Sequence, residues 1–490
     1  MCIFASVNTK FCVMLIGRKE EQLALRNLLE EEEPQFCAVY GRRRVGKTYL
    51  IRETFNYQFA FQHTGYANAP MAKQLSGFRD SLQAASGRRI KVPRTWFEAF
   101  HLLGEVLGEM KGRKKVVFLD ELSWMDTPKS NFVTALEHFW NSWATARREK
   151  DIVLIVCGSS TSWITRKIFR NRGGLHNRLT QRIHLTPFNL AECERYAEVA
   201  GLNMSRKEIA EAYMIMGGVP FYWSLLERQY SLAQNVDRLF FGKEGKLSNE
   251  FGDLYASLFE NVEPYLAIVE ALGEKKIGMT RLELEKALGK KSSGTLTKRL
   301  EELEMSGFIR SYACLGKRER YTMYQLIDPF TLFYFSFIKD RRKTDKHFWI
   351  TKLDSHTHST WSGLAFERLC LWHVPQIKLA LGIAGVSSGA YSWTYQPKNK
   401  DEEGAQIDLL IDRRDQVINL CEMKFANKEY LMTEKEEERL WHRTNVFMDV
   451  TKTRKAVHCT LVTTYGLKRN AYADVFQQVV TLDDLFREEL

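Results

Sequence analysis

The chain has 490 residues, too long for one compact core, so two to four domains are expected. Hydrophobic residues make up 44% and charged residues 27%, the balance of an ordinary soluble globular protein, and no stretch is apolar for long enough to span a bilayer. Lys and Arg total 71 against 60 acidic residues; the formal net charge of +11 favours polyanionic partners, nucleic acid above all, with plain solubility charge as the alternative.

Residues 1–14 are mildly apolar but include Lys10 and several polar side chains. They lack a basic n-region and a small-residue cleavage site, so a signal peptide is not expected, and Met14 competes with Met1 as the natural start. The nine cysteines are scattered, with no Cys-x-x-Cys pair and no Cys/His cluster at zinc spacing. That usage fits a reducing, cytoplasmic location without a membrane partner.

The first helical pattern begins just after Gly17 and Arg18. Short apolar runs at 36–40, 58–61, 115–120, 152–157 and 182–185 read as strands, with helical patterns at 47–54, 96–109 and 131–147. Such alternation predicts a parallel sheet with helices on both faces. From 189 to about 262 helical periodicity takes over, punctuated by Gly217-Gly218 and Pro220, which reads as a helical lid. Next come helical segments at 265–272, 281–288 and 293–305, then strands at 308–314 and 320–326 joined by Gly316-Lys317-Arg318-Glu319. Three helices before a basic hairpin is the pattern of a winged helix. Residues 339–354 read as a charged linker, and a last α/β unit carries a helix at 364–373 and strands at 407–411 and 417–425. The expected domains are 1–187, 188–262, 263–345 and 346–490.

Gly41-Arg42-Arg43-Arg44-Val45-Gly46-Lys47-Thr48 follows an apolar strand and opens a helix, the context that a phosphate-binding P-loop requires. Its glycines let backbone N–H groups turn inward toward phosphate oxygens, and the helix N-terminus adds its positive dipole end. Lys47 is expected to reach the β/γ-phosphates of ATP and Thr48 to ligate Mg²⁺; the chain is expected to bind ATP and ADP and to hydrolyse ATP. Strand 115–120 ends in Asp120 and Glu121. Asp120 would hold Mg²⁺ through water, and Glu121 would polarise the attacking water. Ser159 and Ser160, at the tip of strand 152–157, are candidates to sense the γ-phosphate. Arg172 and Arg178, before the last strand, are candidates for an arginine finger or plain surface charge.

These residues resemble the archaeal-type ATPases of the STAND branch of AAA+-related P-loop proteins. The resemblance starts at Ile16-Gly17-Arg18, similar to the family's opening motif beside the nucleotide base. It runs through residues 41–48, with Tyr49 following, then 119–121, 157–160, Asn177-Arg178-Leu179 and Pro187-Phe188. Gly217-Gly218-Val219-Pro220 matches a lid motif that in relatives lies near the nucleotide, which brings in Pro220. The resemblance implies an α/β chain. A P-loop NTPase parallel sheet of five strands would be followed by a helical lid, a winged helix and a C-terminal restriction-endonuclease-like α/β domain. It also implies a switch whose nucleotide state controls association, homo-oligomers included.

In the C-terminal unit, Asp408 lies in the run 407–411, and Glu422 and Lys424 share one face of strand 417–425. With Glu367 on the preceding helix, the set resembles the PD-(D/E)xK nuclease core, although Ile407 stands where that motif has proline. Asp408 and Glu422 would hold Mg²⁺ or Mn²⁺, and Lys424 would position the attacking water. A degenerate domain kept for binding is the alternative. The expected recognition helix 293–305 presents Lys298 and Arg299, but also Glu301, Glu302 and Glu304, which would repel phosphate. Lys317, Arg318 and Arg320 on the wing are better DNA contacts, and a protein contact or spacer role competes. Three functions fit: an ATP-controlled, metal-dependent DNA nuclease, with defence against mobile elements as one use; an ATP-gated DNA-binding regulator; and an oligomerising signalling ATPase.

Overall fold

The computed structural model describes residues 15–170, 173–175, 177–259, 261–289, 294–313, 315, 321–339, 345–395, 397 and 403–488. Five strands, β1 (Gln35–Tyr40), β2 (Phe61–Thr64), β3 (Lys115–Asp120), β4 (Ile152–Gly158) and β5 (Gln181–His184), form one parallel sheet in the order β2-β3-β4-β1-β5. Phe36, Ala38, Val117 and Leu154 pack on one face against helices Met71–Ser86, Trp96–Glu109 and Phe132–Phe139. Cys37, Val39, Phe118 and Ile155 pack on the other against helices Lys19–Asn27 and Lys47–Thr54. Because both faces are covered, the central strands read as unbroken apolar runs rather than alternating ones.

Three details differ from the sequence expectation. The second strand starts at Phe61, opposite Val117, rather than at Gln58. Phe59 falls before the ladder and packs on Phe118, with ring centres 5.4 Å apart. The helix expected over 131–147 is α-helical only over Phe132–Phe139 and continues as a π-turn, Trp140–Ala144, which sets Trp140 5.0 Å from the Phe36 ring. Helix Met71–Ser86 was not expected at all; its buried face is interrupted by polar Gln74 and Gly77.

Residues 190–258 are helical. Helices Leu190–Val199 and Arg206–Met216 each start with a capping box, Asn189 with Glu192 and Ser205 with Glu208. Helices Glu263–Glu274, Arg281–Ala287 and Gly294–Met305 follow. With them stands a small antiparallel sheet of β6 (Met279–Thr280), β7 (Ile309–Tyr312) and β8 (Met323–Leu326), in the order β6-β8-β7. Helix Pro329–Phe337 comes next. The expected linker is partly a packed element. Helix Phe348–Lys352 buries Trp349 against Phe333, Phe337 and Trp361, and Asp237 accepts from the N–H groups of Trp349 (2.7 Å) and Ile350 (3.2 Å). The apolar content of Phe348 and Trp349 outweighs the charges around them.

The last unit contains β9 (Ser388–Tyr395), β10 (Ala405–Arg413), β11 (Val417–Lys424), β12 (Tyr430–Leu431), β13 (Ala456–Thr463), β14 (Leu467–Lys468) and β15 (Gln478–Thr481). Its main sheet runs β15-β13-β11-β10-β9; β12 and β14 pair beside it. Helix His356–Trp372 covers one face, and Phe447 of helix Glu434–Thr451 covers Leu410, Ile418 and Leu420 on the other. A single apolar core runs from Phe188 in the helical region to Phe486 beyond β15.

Candidate functional site: the nucleotide cleft and the C-terminal carboxylates

Between β1 and helix Lys47–Thr54 the backbone makes a tight loop. Gly41 has φ 146°, and a Cβ there would lie 2.1 Å from the Leu185 carbonyl oxygen, so only glycine fits. Lys47 is buried; its Nζ donates to the carbonyls of Gly41 and Arg42, both at 2.9 Å, and to Ser159 Oγ at 3.3 Å. The ammonium thus sits over the loop, ready to exchange these partners for phosphate oxygens. Thr48 Oγ1 donates to Asp120 Oδ2 at 2.9 Å. That adjacent pair of oxygen donors fits Mg²⁺, a hard cation that binds through one or two protein oxygens plus substrate phosphates. Glu121 takes the left-handed conformation at φ 48°, uncommon for a residue with a Cβ. Its carboxylate turns back to accept from Ser159 N–H (3.2 Å) and Oγ (2.7 Å).

A cleft of about 640 Å³ opens here. Arg43, Val45, Gly46, Lys47, Thr48 and Tyr49 line its phosphate side, with Glu121 and Ser159 at the wall. Ile16, Arg18, Phe188, Tyr196, Pro220 and Phe221 also line it. Arg18 donates to the Thr186 carbonyl at 2.5 Å and lies 3.5 Å from Glu192, against which Gly17 is packed. Gly218 accepts from the Phe188 N–H at 2.7 Å and so ties the Gly-Gly-Val-Pro segment to the cleft. The motifs separated in sequence therefore converge. Of the predicted members, Gly17, Gly41, Asp120 and Ser160 are not among the lining residues, the side chain of Arg42 turns to Asp328 instead, and Arg178 is exposed outside the lining. Arg44 lies on the rim, paired with Glu250. Arg172 is outside the described residues. Tyr196 and Phe221 were not anticipated, because apolar positions on helices carry the same pattern whether they face a core or a cleft.

Residues 15–226 match the sequence profile of an ATPase domain predominantly from Archaea. This segment is an ATPase domain. The chain is accordingly an ATP-hydrolysing enzyme, with the P-loop as the nucleotide-binding element. An uncharacterized protein of Methanocaldococcus jannaschii is 24% identical over 337 residues, 66% of this chain and 69% of that one. Among solved structures, a Walker-type ATPase of Pyrococcus abyssi superposes with a TM-score of 0.49 at 17% identity, over 65% of this chain and 95% of that one. The ORC2 protein of Aeropyrum pernix gives 0.39 at 16% identity, over 64% and 90%. A STAND protein with a tetratricopeptide repeat sensor from Pyrococcus horikoshii gives 0.30 at 16%, over 76% and 52%.

Far along the chain from the ATPase domain, Leu409 of β10 pairs with Cys421 of β11, which brings Asp408 and Glu422 to adjacent positions on the ladder. The β9–β10 register shifts between Ile407 and Leu410, so Asp408 lies in a bulge. Burial, then the nearby Asp408 carboxylate, push the Glu367 carboxyl up to about 7, which places Glu367 in the same electrostatic neighbourhood. Glu422 is already partnered: Lys424 Nζ lies 2.9 Å from one oxygen and Arg443 Nη2 2.8 Å from the other. Asp408 accepts from Gln406 Nε2 at 2.6 Å. Among the described residues no three His, Cys, Asp or Glu side chains stand close enough together to hold a metal ion. Asp408 and Glu422, the expected metal pair, stand side by side, with Lys424 and Arg443 paired to Glu422. Arg443 carried no signal in the sequence; it is one of several basic residues on a charged helix.

The expected recognition helix also differs. Glu302, assigned to its solvent face, is 5% exposed; it takes the Tyr265 hydroxyl and pairs with Arg166 of the ATPase domain at 3.2 Å. Glu304 accepts from Ser311 N–H and Oγ at 2.7 and 2.6 Å. Lys298 and Glu301 are exposed. Lys317, Arg318 and Arg320 lie outside the described residues.

Proposed function

We propose that the ATPase domain is a nucleotide-driven switch controlling a metal-dependent DNA nuclease centre in residues 346–490. In this reading residues 188–262 are the lid and residues 263–345 a winged helix that contacts DNA. Glu121 serves as the base for ATP hydrolysis, Ser159 responds to the γ-phosphate, and Arg178 acts on the cleft of a second copy in a homo-oligomer. The observation that carries the nuclease reading is the adjacency of Asp408 and Glu422 on the β10–β11 ladder, with Lys424 paired to Glu422 and Glu367 within reach of the Asp408 charge. When bound, Mg²⁺ or Mn²⁺ would offset phosphate charge and lower the pKa of its water. The chain's own part is to present Asp408 and Glu422 as oxygen donors and to hold Lys424 beside them.

The test is cleavage of plasmid and linear DNA with Mg²⁺ or Mn²⁺, with and without ATP. Loss of cleavage in Asp408→Ala and an altered rate in Lys47→Ala support the reading. The contacts of Lys424 and Arg443 on Glu422 favour a second reading, a nuclease-like fold that binds DNA without cutting it. No cleavage by the wild type, with DNA binding intact in Asp408→Ala, selects that one.

A further inference from the structure

Two P-loop arginines leave the loop for distant partners. Arg42 is 5% exposed and its guanidinium pairs with Asp328, 286 positions away in sequence. The guanidinium also lies 4.9 Å from the centre of the Phe308 ring. Among the described residues, Nε and Nη2 of Arg42 are buried without hydrogen-bond partners and Asp328 is the one carboxylate paired with this charge. The two oxygens of Asp328 have separate tasks. Oδ1 takes Arg42, while Oδ2 accepts from Thr331 N–H (2.9 Å) and Oγ1 (2.6 Å), capping helix Pro329–Phe337. The Asp328 N–H donates to the Phe308 carbonyl at 3.2 Å. Asp328 therefore moves only with the unit that holds it. At the other end, the Arg42 carbonyl accepts from Lys47 Nζ at 2.9 Å, so a shift of Arg42 reaches the phosphate-binding ammonium. Arg44 makes a parallel link: it pairs with Glu250, and its guanidinium lies 4.3 Å from the centre of Phe221 in the cleft wall.

We propose that Asp328 is a positioning residue of the ATP site: acting through Arg42, it sets the P-loop and makes nucleotide affinity depend on how residues 263–337 seat against the ATPase domain. Coupling of this kind is reciprocal. If seating changes nucleotide affinity by some factor, nucleotide changes the seating equilibrium by the same factor, and the second half of the chain thereby reads the occupancy of the cleft.

The experiment measures mant-ATP and mant-ADP affinity with Mg²⁺, together with hydrogen exchange of helix Pro329–Phe337 with and without nucleotide. Asp328→Asn removes the charge but keeps a good helix cap, so it isolates the pair from the cap. Asp328→Asn and Arg42→Met are each expected to weaken mant-ATP binding tenfold or more, and the double variant no further than either single one. Nucleotide is expected to alter exchange in helix Pro329–Phe337 of the wild type and to lose that effect in Asp328→Asn. Arg42→Lys, which keeps the charge, is expected to recover part of the affinity and serves if Arg42→Met does not fold. Affinities within twofold of wild type, multiplicative losses in the double variant, or unchanged exchange on adding nucleotide to the wild type would each overturn the proposal.

Discussion

Gly218→Ala tests the link between the helical region and the nucleotide cleft. A methyl group at Gly218 would lie 1.8 Å from the Phe188 carbonyl oxygen and 2.7 and 2.9 Å from its carbonyl carbon and nitrogen. Non-bonded carbon contacts settle near 3.5–4.0 Å, so the two backbones must separate by about 1.5 Å or more. The three nearest atoms are all backbone, so no flexible side-chain tip can yield there. The separation breaks the 2.7 Å hydrogen bond from Phe188 N–H to the Gly218 carbonyl and displaces Pro220 and Phe221 from the cleft wall. Losing one buried backbone bond costs about 1–3 kcal/mol. Carried into binding, that is a rise in mant-ATP Kd of about 5- to 150-fold. Fluorescence titration with mant-ATP measures it, and thermal unfolding monitored in parallel separates local displacement from global loss of fold. A variant that stays folded and binds mant-ATP within twofold of wild type refutes the reasoning, since the cleft would then tolerate displacement of its wall.

Lys47→Ala is expected to abolish mant-ATP binding, because the phosphates lose their only buried ammonium among the residues lining the cleft. Glu121→Gln is expected to bind ATP normally and hydrolyse it a hundredfold or more slowly, the usual scale for removing a general base; normal turnover would remove Glu121 from the chemistry. Asp151→Asn leaves the buried Lys115 without its carboxylate, while Arg147 keeps Glu149 at 3.4 Å, and should cost about 3–5 kcal/mol, read as a lower urea midpoint. Acid should destabilise the fold through His63 and His373, both pushed down to about 4 by burial. The unfolded chain takes up these protons near pH 6.5, so the stability from the neutral rings is complete above that pH and lost on descent toward 4. Each ring accounts for about 2 kcal/mol by pH 5. In His373, Nε2 accepts from Leu190 N–H at 3.1 Å and Nδ1 donates to the Leu369 carbonyl at 2.8 Å; a proton on Nε2 ends the first contact and leaves the second. Tm measured from pH 7.5 to 5 should fall more steeply in wild type than in His63→Gln or His373→Gln; parallel profiles would count against this origin.

What sequence reading captures here is local and periodic. The runs 36–40 and 115–120 and the helix 47–54 are nearly reproduced by β1, β3 and Lys47–Thr54, because strand, glycine loop and helix succeed one another within one motif. The Lys47, Thr48, Asp120 and Glu121 contacts follow from it, and so does the shared face of Glu422 and Lys424, which needs only the two-residue period of a strand. The rest depends on partners remote in sequence. Arg42, Arg43 and Arg44 look equivalent as letters, yet Arg43 faces the cleft while Arg42 and Arg44 pair with Asp328 and Glu250. Glu302 reads as a solvent-facing acid until Tyr265 and Arg166 are placed beside it. Tyr196 and Phe221 have no local feature that separates cleft wall from core.

The continuous core from Phe188 to Phe486 also sets an order of events during synthesis. The ATPase sheet has all its strands by His184 and can close while the rest is still being made. The following helices cannot, because Leu482, Leu485 and Phe486 belong to the same core as Phe188 and Leu190. At ordinary elongation speeds the roughly 300 residues between them take about 15–60 s to appear. Throughout that interval the nascent chain carries a finished nucleotide-binding sheet tethered to helices that lack the cover of Leu482, Leu485 and Phe486, and until Asp328 emerges, part-way through, Arg42 waits for its carboxylate.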